Sequence, residues 1–311
     1  MTRLQISHRT TYRYRKPVGF GEHRLMMRPR ESYDQHVIYA QLKISPDASL
    51  RHVHDVFGNC ISIASFDRKS DVLAFDSQVL LEHRPAPLAY DCEEAVHPSS
   101  PSLPFAYDAT DMPDLARSVE RGFPDPDRQV ERWVRRFLKW NGPTRVLPLL
   151  TEMTRAIHSE FTYRTRLEAG ARNPAETLAL GSGACRDFAV LICAGARSLG
   201  LTARFVSGYV HCADSWHGPQ SSSGHTHAWA QVLTPEASWV DFDATSGQVG
   251  SEGLIRVAVA EDPAAAVPIS GSYQGEAGDF LHMEVAVAVE AASPTLDSLP
   301  RFEPSPLWSV A

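Results

Sequence analysis

The stretch GSGACRDFAVLICAGARSLG, residues 181–200, limits the possible folds more than any other. Phe188, Leu191, Ile192 and Leu199 recur at helical spacing, Gly200 is a stop signal, and Gly181-Ser182-Gly183 is too poor in helix propensity to join the helix. The spacing predicts a buried helix that begins at Cys185. A cysteine there meets the unpaired N–H groups and the positive end of the helix dipole, which favour the thiolate, its nucleophilic form. The same N–H groups suit an oxyanion formed during acyl transfer. The neighbouring glycine is expected to leave room for a substrate backbone. Cys193, in the middle of the apolar run, reads as a small core residue. Cys185 fits that bland reading less well, because it lies at a glycine-flanked helix start beside Arg186 and Asp187.

A second pattern supplies what such a thiol needs. HTHAWAQVL (225–233) reads as a strand, WVDFD (239–243) as its neighbour, and TPEAS (234–238) as the turn between them. A turn centred near residues 235–237 pairs positions whose numbers sum to about 470–474. His227 then lies opposite or diagonal to Asp243, and their shared odd parity puts both on one face. An imidazole that takes and returns a proton, oriented by a carboxylate, is the arrangement a cysteine nucleophile requires. The candidate catalytic residues are therefore Cys185, His227 and Asp243. His225 shares the parity of His227 but lies nearer the strand's glycine-rich entry, and Asp241 is the substitute acid to test after Asp243. A rival reading makes His211, Cys212, Asp214, His217, His225 and His227 a metal site. No pair among them has the spacing of a zinc finger or a zincin helix, so neither metal nor cofactor is expected.

The rest of the chain frames this chemistry. At 311 residues it exceeds the usual size of one hydrophobic core, which favours more than one structural unit. Residues 1–85 alternate in the manner of half-buried strands: Leu4, Ile6, Tyr12 and Tyr14 share one parity, as do Ile38, Ala40, Leu42 and Ile44, and then Leu73, Phe75, Val79 and Leu81. Phe57-Gly58-Asn59 marks a turn, and the whole reads as an antiparallel β-sandwich domain. Residues 86–145 form a Pro-, Ser- and Asp-rich linker and then a helix carrying Val130, Trp133, Val134, Phe137 and Leu138. Its basic residues, Arg132, Arg135, Arg136 and Lys139, read as a solvated face. The catalytic core is drawn over 146–290, opening on a helix with Leu149, Met153 and Ile157 on its apolar side, and 291–311 is a Pro-rich tail.

Taken together, GSGACRDFAVLICAGARSLGLTARFVSGYV, THAWAQV and WVDFDATSG resemble the three core motifs of bacterial transglutaminase-like proteins, in the family's order. TYRYRKPVGFGEHRLMMRPRES, DVFGN and SFDRKSD likewise resemble the β-domain that precedes that core in bacteria, so the likeness spans roughly residues 2–290. It implies an α+β fold in which the cysteine helix packs, papain-like, on an antiparallel sheet. It also implies that Cys185 is the nucleophile, His227 its base and Asp243 the acid. Ala244 departs from the family's usual proline, which is expected to loosen the backbone after Asp243.

The expected activity is a cysteine-dependent hydrolase, a peptidase or amidase that cleaves amide or isopeptide bonds through a thioester. Two alternatives stay open: acyl transfer from protein glutamine to an amine, and a non-catalytic binding or scaffold role. Water alone suffices for hydrolysis, whereas transfer needs a second pocket for the amine, of which the sequence gives no sign. The acidic groups at 91–94 and 261–262 lack the spacing of a dedicated calcium loop, so calcium independence is expected. The expected partner is a peptide or protein substrate. A net charge of -7 argues against nucleic acid, and the longest apolar run, 188–196, is too short to span a membrane. Five irregularly spaced cysteines and no apolar leader segment point to a cytoplasmic protein. Oligomeric state is not legible.

Overall fold

Strand β1 (Thr2–Phe20) buries Leu4, Ile6, His8, Thr10 and Tyr14 on one side and exposes Gln5, Arg9 and Arg13 on the other, the period-two pattern of a strand with one covered face. The strands β2 (His23–Leu25), β3 (Gln35–Ser45), β4 (Ser49–His54), β5 (Cys60–Ser65) and β6 (Ser70–His83) follow. In the computed structural model, which describes residues 1–85, 87–88, 95–96, 107–139, 142–166, 168, 170–211, 225–234 and 238–292, they form two antiparallel sheets. One runs β1-β6-β3 and the other β2-β5-β4, and Tyr14, Val18, Phe20, Leu25, Leu73 and Phe75 pack into a single cluster drawn from both. This is the sandwich that the alternation predicts. Ile38 is the exception: it is 38% exposed, although its parity groups it with Ala40, Leu42 and Ile44. The β3–β6 register slips between Val37 and Tyr39, so Val37 is the buried residue before the slip and the even positions turn inward only after it. The 293–311 tail, most of the 86–106 linker, the 212–224 loop and the 235–237 turn lie outside the described residues.

Helix α1 (Gln129–Arg135) buries Val130, Trp133 and Val134 but ends before Phe137 and Leu138, which the spacing places on it, whereas α2 (Val146–Glu160) buries Leu149, Met153 and Ile157 one turn apart, as predicted. After the short α3 (Pro174–Leu180) comes α4 (Cys185–Ser198), the cysteine helix. It packs on an antiparallel sheet of β7 (Ala203–Val210), β8 (His225–Thr234), β9 (Ser238–Asp243), β10 (Gln248–Val249) and β11 (Leu254–Ala260), in spatial order β10-β9-β8-β7-β11. Even-numbered side chains of the β8–β9 hairpin, Ala230, Val232, Val240 and Phe242, meet Phe188, Leu191, Ile192 and Ala196 in one core. Each large side chain fully buried there stabilises the fold by about 1.5–3 kcal/mol. The odd-numbered positions are left to carry the polar groups.

β11 is an edge strand, and its outward backbone groups are met by side-chain amides from the N-terminal region. Gln35 Nε2 donates to the Arg256 carbonyl (2.8 Å), and its Oε1 accepts from the Arg256 N–H (3.1 Å). Asn59 Nδ2 donates to the Val259 carbonyl (2.7 Å), and its Oδ1 accepts from the Val259 N–H (2.9 Å). Each amide stands in for one residue of a further strand, giving the backbone groups of the edge a hydrogen-bond partner. A shared apolar cluster joins the two units, with Leu4, Ile6, Val79 and Leu81 against Val190, Phe205, Tyr209 and Val257. The last strand, β12 (Phe280–Ala291), pairs antiparallel with β1 from Leu4↔Ala291 to Tyr14↔Phe280. Residues that the sequence places at the end of the catalytic stretch thus complete the first sheet.

Candidate active site

The start of α4 is set by Asp187, in its first turn. Asp187 Oδ2 accepts from the Ala184 N–H (2.9 Å), while the Asp187 N–H bonds back to the Ala184 carbonyl (2.9 Å), so the chain enters the helix at Cys185. The carboxylate is fully buried and held by a two-point bond from Arg166, whose Nε and Nη2 each donate at 2.8 Å, and by the Arg172 N–H at 2.8 Å. Burial works to raise its pKa, but these donors outweigh it and hold the carboxyl below the ordinary aspartate range. Gly183 serves the helix itself. A Cβ there would lie 2.9 Å from Asp187 Cβ, so the glycine makes room for the helix's own first turn. Arg186 turns away, donating to the carbonyls of Arg166 (3.1 Å) and Glu168 (2.6 Å).

Cys185 is half-buried at this helix start. Ala230 pairs with Phe242 in the hairpin register, so His227 lies diagonal to Asp243. His227 Nε2 is 3.0 Å from Asp243 Oδ1, with both side chains 1% exposed. Burial works against the imidazolium. The charge and hydrogen bond of Asp243, together with contact to Cys185, overcome it, and the His227 pKa is pushed up to about 10. Burial likewise opposes the Asp243 carboxylate, yet His227, Ser246 and the Thr245 N–H hold it below its ordinary value. The two donors after the acid are close: the Thr245 N–H lies 2.9 Å from Oδ1 and Ser246 Oγ 2.6 Å from Oδ2. The Gly247 N–H bonds the Asp243 carbonyl at 2.8 Å, and Ala244 is buried in the core. Against expectation, the backbone after Asp243 is therefore pinned. Tyr163 borders the pair, and burial, then the nearby Cys185 charge, pushes its phenol up.

His225 is partly exposed, with its ring 5.6 Å from that of His227, and burial pushes it down to about 4. Asp241 does not face His227: its Oδ1 accepts from Trp229 Nε1 at 2.6 Å, and its Oδ2 lies 3.5 Å from Arg256 Nη1. Of the six residues in the rival metal reading, Cys212, Asp214 and His217 lie outside the described residues. Sequence reasoning missed Asp187, Arg166, Thr245 and Ser246. Asp243-Ala244-Thr245-Ser246 is a readable signal, since Asp followed at short range by backbone N–H and a hydroxyl makes an Asx turn. The Arg166–Asp187 pair, 21 residues apart, carries no local signal.

Residues 4–82 match the bacterial transglutaminase-like N-terminal region, and residues 132–244 match the transglutaminase-like superfamily. The chain is 28% identical over 277 residues to an uncharacterized protein of Mycobacterium tuberculosis, covering 86% of this chain and 87% of that one. To an uncharacterized protein of Mycobacterium leprae it is 23% identical over 291 residues, covering 92% and 99%. The crystal structure of a candidate cysteine protease from Cytophaga hutchinsonii shares the fold, with a TM-score of 0.66 at 18% identity over 94% of this chain and 92% of that one.

Proposed function

The chain belongs to the transglutaminase-like superfamily, and from that premise we propose that it is a cysteine-dependent hydrolase of amide or isopeptide bonds in a peptide or protein. The observation that carries the reading is the buried His227–Asp243 pair beside a half-buried cysteine at a helix N-terminus. Cys185 is the nucleophile. With Nε2 of His227 turned to Asp243, Nδ1 is the nitrogen left to hold the thiol proton. The thiolate attacks the carbonyl carbon, and the developing oxyanion is met by N–H groups at the head of α4. His227 then passes the proton to the leaving amine, the C–N bond breaks, and a thioester remains on Cys185. Water, deprotonated by the same imidazole, attacks the thioester, releasing the carboxylic acid and restoring the thiol. Asp243 keeps the ring oriented and its positive charge compensated throughout, and Thr245 and Ser246 keep Asp243 in place.

The test is a peptide library bearing glutamine and isopeptide substrates, offered with and without excess primary amine, in chelator and in calcium. Cleavage or deamidation that persists in chelator and disappears in Cys185→Ala is the expected result. Amine incorporation that dominates and requires calcium would replace hydrolysis by acyl transfer. No covalent adduct at Cys185 with any substrate or thiol-directed probe would leave a binding role.

A further inference from the structure

On the odd-numbered side of the hairpin, beneath His227, lies a buried polar series that the chemistry above does not use. The Trp229 ring is fully buried and stacked under His227, with centroids 6.1 Å apart and planes 26° from parallel. Its Nε1–H donates to Asp241 Oδ1 at 2.6 Å, and Arg256 Nη1 lies 3.5 Å from the other carboxylate oxygen. Arg256 then reaches out of the catalytic sheet: its Nη2 donates to Ser32 Oγ at 3.0 Å and to Asp34 Oδ1. The backbone of Arg256 is held by the same segment, through Gln35 and through the Arg30 N–H on its carbonyl at 3.0 Å. Gly208, on β7 between Trp229 and Arg256, is bare for this reason, since a Cβ there would lie 2.8 Å from the indole and 2.0 Å from the Ile255 carbonyl oxygen.

We propose that Asp34, Arg256, Asp241 and Trp229 act as positioning residues, through which the N-terminal domain holds the His227 ring against Asp243 and Cys185. The inference rests on the cysteine reading given above. The physical need is specific. Asp241 and Asp243 are buried two residues apart on one face, 2% and 1% exposed, and an unneutralised Asp241 would compete for the imidazolium or take up a proton itself. Arg256 and the indole N–H occupy both Asp241 oxygens, so Asp243 alone is left to His227. Asp34 completes the compensation of Arg256 from the other domain. The series is a continuous set of bonded side chains, so a change at its outer end is transmitted as a change in where the indole sits.

The experiment uses the full chain and iodoacetamide, whose alkylation of Cys185 reports the thiolate–imidazolium pair without a known substrate. Rates are followed by peptide mass spectrometry from about pH 5 to about pH 9, the range over which free thiol and imidazole titrate. Among the described residues, the titratable groups around His227 are Asp243 from β9, Cys185 from α4, His225 from its own strand and Tyr163, which borders the pair. Asp34→Asn, Asp241→Asn and Trp229→Phe are compared with wild type, with Tm recorded for each. Trp229→Phe removes the N–H together with the pyrrole half of a fully buried indole, so its Tm is read beside its profile. Asp34→Asn alters a partly exposed side chain far from the buried indole, so this variant is expected to fold and carries the test where Trp229→Phe is destabilised. The expected result is a rate at neutral pH lowered about two- to thirtyfold with a displaced pH profile in all three, and partial recovery in Asp34→Glu. Superimposable profiles in Asp34→Asn and Trp229→Phe overturn the proposal while leaving Cys185 reactive. Rate losses that follow Tm with no displacement of the profile also overturn it. Unselective labelling of Cys185 in wild type is a different result, which sinks the cysteine reading and this inference with it.

Discussion

Replacing Asp243 with Asn removes one charge and almost no volume. Two other histidines show what burial does here without a carboxylate in contact: His8 and His225 are each pushed down to about 4, mainly by burial. His227 is pushed up to about 10, with Asp243 the largest opposing influence. Loss of the Asp243 charge makes the imidazolium harder to form by about 3–4 kcal/mol, on the scale of a broken buried ion pair. The thiolate of Cys185 then lacks its counter-ion at neutral pH, and alkylation by iodoacetamide near pH 6–7 should fall about 10²- to 10³-fold. The same shifts give a stability signature with a definite sign. A histidine whose pKa is raised on folding stabilises the fold fully below its ordinary value of 6.5, and that contribution is lost as pH rises through about 10. A depressed carboxylate acts above its ordinary value of 3.8 and is lost as pH falls through its lowered one. Both describe one interaction. The Tm difference between wild type and Asp243→Asn should therefore be greatest near pH 5–6 and vanish above about pH 10. Alkylation at the wild-type rate near pH 6 in the variant would falsify this account of the pair.

Among the described cysteines, Cys185 should be alkylated fastest and Cys193 slowest at neutral pH. Burial pushes Cys193 up to about 11, leaving about one thiolate in ten thousand at pH 7; equal labelling of the two in folded protein counts against the assignment. Asp187→Ala strips Arg166 and the Ala184 N–H of their buried partner, and the denaturation midpoint should fall by an amount equivalent to about 3–5 kcal/mol. A loss below about 1 kcal/mol would mean that the cap is dispensable. Gln35→Ala leaves the Arg256 N–H at the β11 edge without its partner, while the Arg256 carbonyl keeps the Arg30 N–H, at a cost of about 1–3 kcal/mol, measurable in urea. Unchanged stability there would show that water replaces the amide.

Local pattern carried the cysteine helix and the diagonal placement of His227 and Asp243, because a helix face and a two-strand register are written in spacings of a few residues. Parity misled at two places. Ile38 sits outside because a bulge, which leaves no mark in the alternation, inverts the faces of β3. Asp241 looked interchangeable with Asp243, but the register takes it further along the strand, opposite Gln231, where Trp229 and Arg256 claim it. The bonds that tie the site together, Arg166 to Asp187, Arg256 to Asp34 and Asn59 to Val259, join residues 21 to 222 positions apart. No periodicity encodes them. They arise from which backbone and charged groups remain unsatisfied once the sheets have met.

The pairing of β12 with β1 bears on how this chain is made. A ribosome delivers β1 first and β12 some 260 residues later, so one long edge of the opening strand stays open through most of translation. At about 5–20 residues per second that wait lasts roughly 13–52 s. The open edge runs through Gln5, Arg9 and Arg13, whose polar side chains alternate with the apolar ones and make an unpaired strand a poorer template for a neighbouring nascent chain. The strand that seals the first sheet is thus made only after the whole cysteine, histidine and aspartate region, so closure of that sheet waits on synthesis of the site.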